Sequence, residues 1–205
     1  MSAIHAENLD SPQFSHSVGR EPVSRFAVPQ EEDLPEQVRK IHAKYRAQYG
    51  FVPNWLAALS VNPDTAYRLV VFYEHLFDPR LSRLRAEDRE LIAVVSSAIN
   101  ECSYCVFNHT HSLGHAIGDR IRAQRIARDH HHVHLTEREE ALADIAEKLS
   151  RKGTSVGETD FQRLRRVGFD EQAILEVLEI SAFFAYANRL TAALSIVPDQ
   201  QFFTA

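Results

Sequence analysis

The stretch "DEQAILEVLEISAFFAYANRLTAALS", residues 170–195, constrains the fold more than any other part of the chain. It reads as one long helix, apolar nearly all round between Ile180 and Ala187, and such a helix is stable in water only when neighbours cover it. It therefore belongs at the centre of a helical bundle. Glu179, Asn188 and Arg189 interrupt it, and nowhere does the chain reach about 18 uninterrupted apolar residues, so a membrane span is a poor reading. A buried Arg189 needs a carboxylate facing it, because removing one partner of a buried pair costs about 3–5 kcal/mol.

The rest of the chain is punctuated in the same way. Pro and Gly fall between segments and no period-two run bounded by turn signals occurs, which predicts an all-α protein. Helices are expected over 34–49, 54–59, 63–77, 85 to about 100, 103–116, 119–127, from a cap at Thr136, and over 160–166 and 170–195. Thr136 followed by Glu139 is a capping box. Residues 1–32 are polar, with Pro12, Pro22 and Pro29 scattered among them, and read as an irregular arm ahead of one helical domain at 33–205. A single core suits 205 residues. The formal charge of -5 gives no footprint for nucleic acid, and the opening lacks the apolar region of a secretory signal. A cytoplasmic protein with neither nucleic-acid nor membrane partner is expected.

The only two cysteines stand in "NECSYCVFNH" as Cys102 and Cys105, followed by His109. A chain of this size has no need of a secreted disulfide framework, so the pair points to redox chemistry or metal. If a helix begins at Cys102, steps of three and then four residues bring Cys102, Cys105 and His109 onto one stripe. A helix N-terminus favours negative charge, which lowers thiol pKa values and makes the nucleophilic thiolate. His109, one turn beyond Cys105, can then accept or return a proton. Cys105, one turn deeper, is expected to be the more shielded thiol, and Cys102 the more exposed. Upstream, Leu91, Val94, Val95 and Ala98 mark the core face of another helix, with Glu90 beside it.

Glu90, eleven residues, Cys102, two residues, Cys105, three residues and His109 together resemble the signature of the alkylhydroperoxidase D (AhpD) family, related to the carboxymuconolactone decarboxylases. The match is strong over 81–118. "FVPNWLAAL" at 51–59, "LTEREEAL" at 135–142 and "ANRL" at 187–190 look like the peroxidase-related branch, extending the resemblance over roughly 51–198. It implies an AhpD-like helical bundle that reduces hydroperoxides through the CxxC pair, Cys105 attacking peroxide, Cys102 resolving the sulfenic acid, and Glu90 and His109 relaying the proton. It also implies an external dithiol or lipoyl-bearing reductant and a homo-oligomer, with no cofactor and no metal. One position departs from the pattern: Tyr104 stands where characterised members often carry histidine.

Two other classes stay open. A decarboxylase-type lyase shares the fold but does not need the cysteines. A zinc or redox-sensing module would hold Zn2+ on Cys102, Cys105 and His109, with Glu90 or water fourth. A thioredoxin fold fits less well, because its CxxC follows a strand. His130, His131, His132 and His134 read as a solvated loop that could bind a metal ion. His111 and His115 are expected to face away from His109. Phe107, Phe183, Phe184 and Tyr186 are expected in the core, with one of them lining a substrate pocket as a lesser possibility. Arg189 is a candidate for orienting Glu90.

Overall fold

The computed structural model describes residues 22–203, so most of the expected N-terminal arm lies outside the described residues. Those residues form an all-α structure without strands: α1 (Glu36–Tyr49), α2 (Asn54–Leu59), α3 (Pro63–Phe77), α4 (Ala86–Ile99), α5 (Ser103–Ile117), α6 (Arg120–Asp129), α7 (Glu137–Lys152), α8 (Glu158–Arg166) and α9 (Glu171–Ala193). Short 3-10 turns at Glu31–Asp33, His130–His132, Gly153–Ser155 and Gln200–Phe203 were not expected from the sequence.

Local chemistry explains the boundaries. Asn62, Asp119 and Asp170 each accept a hydrogen bond from the backbone N–H three residues on, at 3.1, 2.8 and 2.8 Å, satisfying donors that a helix start leaves free. The Thr136–Glu139 capping box forms: the Glu139 N–H donates to Thr136 Oγ1 at 3.3 Å, and the Thr136 N–H donates to Glu139 Oε2 at 2.8 Å. Helix α5 ends at Gly118 with φ +68°, a left-handed conformation that favours glycine and lets α6 turn back along α5.

The centre of the bundle is shared differently from the sequence expectation. Helix α4 is buried all round from Asp88 to Ser97 and packs against α5, α6, α7 and α9. Its acidic residues find partners, Asp88 on two arginines and Glu90 on His109, while Ser96 Oγ and Arg89 Nε are buried without a hydrogen bond. Asp88, 1% exposed, accepts from Arg138 Nη2 at 2.7 Å and from Arg85 Nη2 at 3.1 Å, so α4 carries its charge inward already paired. Helix α9 buries Phe183, Phe184, Ala187 and Asn188 but exposes Leu175, Ala182, Tyr186 and Arg189, a stripe at helical spacing. The expectations of a core Tyr186 and a buried Arg189 therefore fail. Tyr186 is 49% exposed, and Arg189 turns its guanidinium back to the Ala185 carbonyl, with no role toward Glu90. Phe183 and Phe184 are buried as expected, whereas Phe107 is only half-buried.

The described part of the arm lies along its own chain. The Arg25 N–H donates to the Leu194 carbonyl at 2.8 Å, and the Val197 N–H donates to the Val23 carbonyl at 3.0 Å. The histidine run is also more structured than a solvated loop, since the 3-10 turn puts His130 in the interior while His131, His132 and His134 are exposed. Among the described residues, no helix is long and apolar enough to cross a membrane.

Candidate active site

The two cysteines open α5. Glu101, at φ 55°, takes the left-handed turn that separates α4 from α5, and the Cys102 N–H donates back to the Ser97 carbonyl at 3.0 Å. Cys102 is the N-cap, its sulfur accepting from the Cys105 N–H at 3.4 Å, and the two free thiols lie with sulfurs 2.8 Å apart. Both are buried, which corrects the expected order of exposure: Cys102 is 1% exposed and Cys105 6%. The reason is a small second core in which Ala58 of α2, Tyr104 and Ile196 close over Cys102.

Electrostatics separates the thiols further. The hydrogen bond from Cys105 lowers the Cys102 pKa from the ordinary 9.0 to about 7, assisted against burial by the Cys105 N–H and the Asn188 amide. The same contact, with burial, pushes Cys105 well up, opposed by Asn188 and Thr191. Asn188 is fixed in turn, because its amide donates to Ser97 Oγ at 3.1 Å and accepts from Asn100 Nδ2 at 3.0 Å. Neither Asn188 nor Thr191 was recognised from sequence as lying against the sulfurs. Two polar residues at i and i+3 in an otherwise apolar helix are the signal that could have found them.

Glu90 and His109 meet across the α4–α5 packing, with Glu90 Oε2 2.8 Å from His109 Nδ1 and both side chains largely buried. The His109 ring stands edge-on to Phe184, centroids 4.7 Å apart, so the pair is held in apolar surroundings. Cys105, Glu90 and His109 all line one cavity of about 590 Å³, whose walls include Tyr45, Trp55, Tyr73, Phe183 and Phe184. Cys102 does not reach it. His111 and His115 do, stacked edge-on with centroids 4.6 Å apart, so the expectation that they face elsewhere is overturned. Phe202, 5.4 Å from the His111 ring, completes that side of the wall.

Tyr104 is tied to the C-terminal segment. Its hydroxyl donates to the buried carboxylate of Asp199, which also accepts from the Asn54 N–H at 2.8 Å and from Asn108 Nδ2 at 3.4 Å. The Trp55 N–H donates to the same hydroxyl at 3.3 Å. Tyr104, directly before Cys105, thus fastens the C-terminal segment to the starts of α2 and α5. Cys102, Cys105 and His109 do not converge closely enough to share an ion. An all-helical bundle with a paired CxxC at a helix start, beside a buried carboxylate–imidazole pair, defines a class of thiol-bearing helical proteins.

Comparison with known proteins narrows that class. The carboxymuconolactone decarboxylase family matches residues 63–148. An AhpD-core, uncharacterised peroxidase-related protein from Ralstonia eutropha JMP134 is 30% identical, with 89% of this chain and 95% of that one covered and a TM-score of 0.85. A peroxidase-related protein from Silicibacter sp. TM1040 is 27% identical over 91% and 97% of the two chains, TM-score 0.82. The debrominase Bmp8, 22% identical over 89% and 94%, TM-score 0.72, shares the fold. Among curated proteins, none matches the chain. The chain belongs to the AhpD-like, carboxymuconolactone decarboxylase-like family.

Proposed function

We propose that the protein is a thiol-dependent hydroperoxide reductase in which Cys105 meets the peroxide. The observation that carries this reading is the opening of Cys105, and not Cys102, onto a cavity shared with the Glu90–His109 pair. With the sulfurs 2.8 Å apart, the two thiols share one negative charge, and moving the proton from Cys105 to Cys102 presents a Cys105 thiolate to the cavity. That thiolate attacks the outer peroxide oxygen. The S–O bond forms as the O–O bond breaks, and the departing alkoxide takes a proton from His109, which Glu90 holds in place through Nδ1. Cys102 then attacks the Cys105 sulfenic acid: the S–S bond forms as the S–O bond breaks, and the proton released by Cys102 passes to the departing hydroxide, which leaves as water.

Two electrons from an external dithiol, lipoyl-type donors included, then restore both thiols. Because Cys102 is 1% exposed, that donor reaches the disulfide through Cys105. The aromatic walls favour a bulky organic hydroperoxide over hydrogen peroxide. Free cysteines suit a reducing compartment, the cytoplasm. Self-association would rest on exposed apolar side chains of two packed helices, Val71 and Phe72 of α3 and Tyr186 of α9. A second reading, reductive removal of halogen from a flat aromatic compound, is supported by the same aromatic walls and by the fold shared with the debrominase, a variant of which was solved with 2,3,4-tribromopyrrole.

The test is consumption of alkyl, aryl and hydrogen peroxides with several dithiol donors, run beside debromination of a bromopyrrole. Cys102→Ser is expected to turn over once and leave a Cys105 sulfenic acid that a dimedone-type probe traps, whereas Cys105→Ser does not react. A sulfenic acid on Cys102 in Cys105→Ser reverses the roles, and debromination without peroxide consumption selects the second reading.

A further inference from the structure

We propose that His130, His131 and Glu147 form a binding site for a divalent transition-metal ion of the zinc type, apart from the thiol cavity. The two histidines lie in the 3-10 turn that ends α6, and Glu147 lies in α7. Nε2 of His130 and Nε2 of His131 converge on the same oxygen, Glu147 Oε2, at 3.2 and 2.9 Å, and all three donor atoms lie within 4.8 Å of one another. Zinc bonds nitrogen and oxygen at about 2.0–2.1 Å, which holds tetrahedral donors about 3.3 Å apart, so the trio needs little movement to close on an ion.

The surroundings prepare each donor. Glu147 Oε1 is already committed, accepting from Arg151 Nε at 2.7 Å, so Oε2 is left facing the imidazoles. Asp129 fixes the turn: its Oδ1 accepts from the His131 N–H at 3.0 Å, and its Oδ2 lies 2.7 Å from His132 Nδ1, holding His132 outside the trio. His130 is 7% exposed, yet its buried Nε2 makes no hydrogen bond. A buried ring nitrogen without a partner is costly, and a metal ion would satisfy it together with the carboxylate it faces. Two imidazoles and one carboxylate suit zinc, with cobalt as a spectroscopic substitute, and leave the fourth position to water. No residue of the trio lines the thiol cavity, so the site stands or falls independently of the peroxidase reading.

The experiment uses the full chain carrying Cys102→Ser and Cys105→Ser, so that the thiols cannot take the ion, after removal of metal by chelator. Calorimetric titration with Zn2+ and absorbance titration with Co2+ are expected to give one equivalent bound, with a raised melting temperature. Adding His131→Gln or Glu147→Gln is expected to weaken binding at least tenfold and remove the thermal shift, while His132→Gln leaves both unchanged. His131 is exposed, so its loss leaves the core intact, and circular dichroism checks the fold of each variant. Absence of one-equivalent binding, or binding that neither substitution weakens, overturns the proposal.

Discussion

The charge shared between the cysteines can be tested without substrate. With its pKa at about 7 in place of 9.0, Cys102 is about half thiolate at pH 7, against about 1% for an unperturbed thiol, roughly a 50-fold difference. The largest cause is the hydrogen bond from Cys105, so Cys105→Ala removes it while leaving Asn188 and the residue-105 N–H in place. The thiolate population at pH 7 should fall several-fold, with about 50-fold as the limit if the pKa returns fully to its ordinary value. Because Cys102 is buried, the assay is thiolate absorbance in the ultraviolet across pH, with the double serine variant as blank; no reagent has to reach the sulfur. Wild-type protein should show an ionisation step near pH 7 that moves to higher pH in Cys105→Ala. An unmoved step would mean that the helix start alone sets the pKa, and no step near pH 7 would refute the shared charge itself.

Replacing Glu90 or His109 by Gln should leave the protein folded, as circular dichroism checks, but slow peroxide reduction by about 100- to 10,000-fold, the range typical of acid–base catalysis; unchanged rates in both would remove the relay. Asp88→Asn should cost about 2–3 kcal/mol near neutral pH in denaturant unfolding, below the full penalty for a broken buried pair because Arg85 and Arg138 are 55% and 26% exposed and can recover solvent. Burial raises the Asp88 pKa, but hydrogen bonds from Arg138 and Arg85 outweigh it and leave the net value lowered. A lowered folded-state pKa means that this stabilisation is complete above the unfolded value of about 3.9 and is lost as pH falls through the folded one, so the gap between variant and wild type should close in strong acid.

Much of the fold was legible because caps and periodicity are local. Asn62, Asp119, Thr136 and Asp170 announce helix starts whatever packs above them. Burial was harder to read, because it depends on what arrives from elsewhere in the chain. Helix α4 carries Asp88, Arg89 and Glu90 and so looks half-exposed, yet partners on neighbouring elements let it run through the centre. In α9 the apolar Leu175 and Tyr186 disguised the outward stripe, and Arg189 belongs to that stripe while Asn188, about 100° round the helix, points in. At the site, Cys102, Cys105, His109 and Glu90 could be singled out from spacing and resemblance. The covering of Cys102 by Ala58 and Ile196 could not, since those residues lie more than forty positions away on either side.

The tie between Tyr104 and Asp199 gives residues 199–203 the part of a stopper in a flask. Asp199 is fastened to the helix that bears the sulfurs, and Phe202, three residues on, is a piece of the cavity wall. If the cavity takes a substrate as proposed, its admissible size falls to a stretch of chain that holds neither the cysteines nor the Glu90–His109 pair, and replacing Phe202 should change which peroxides react while leaving those groups in place.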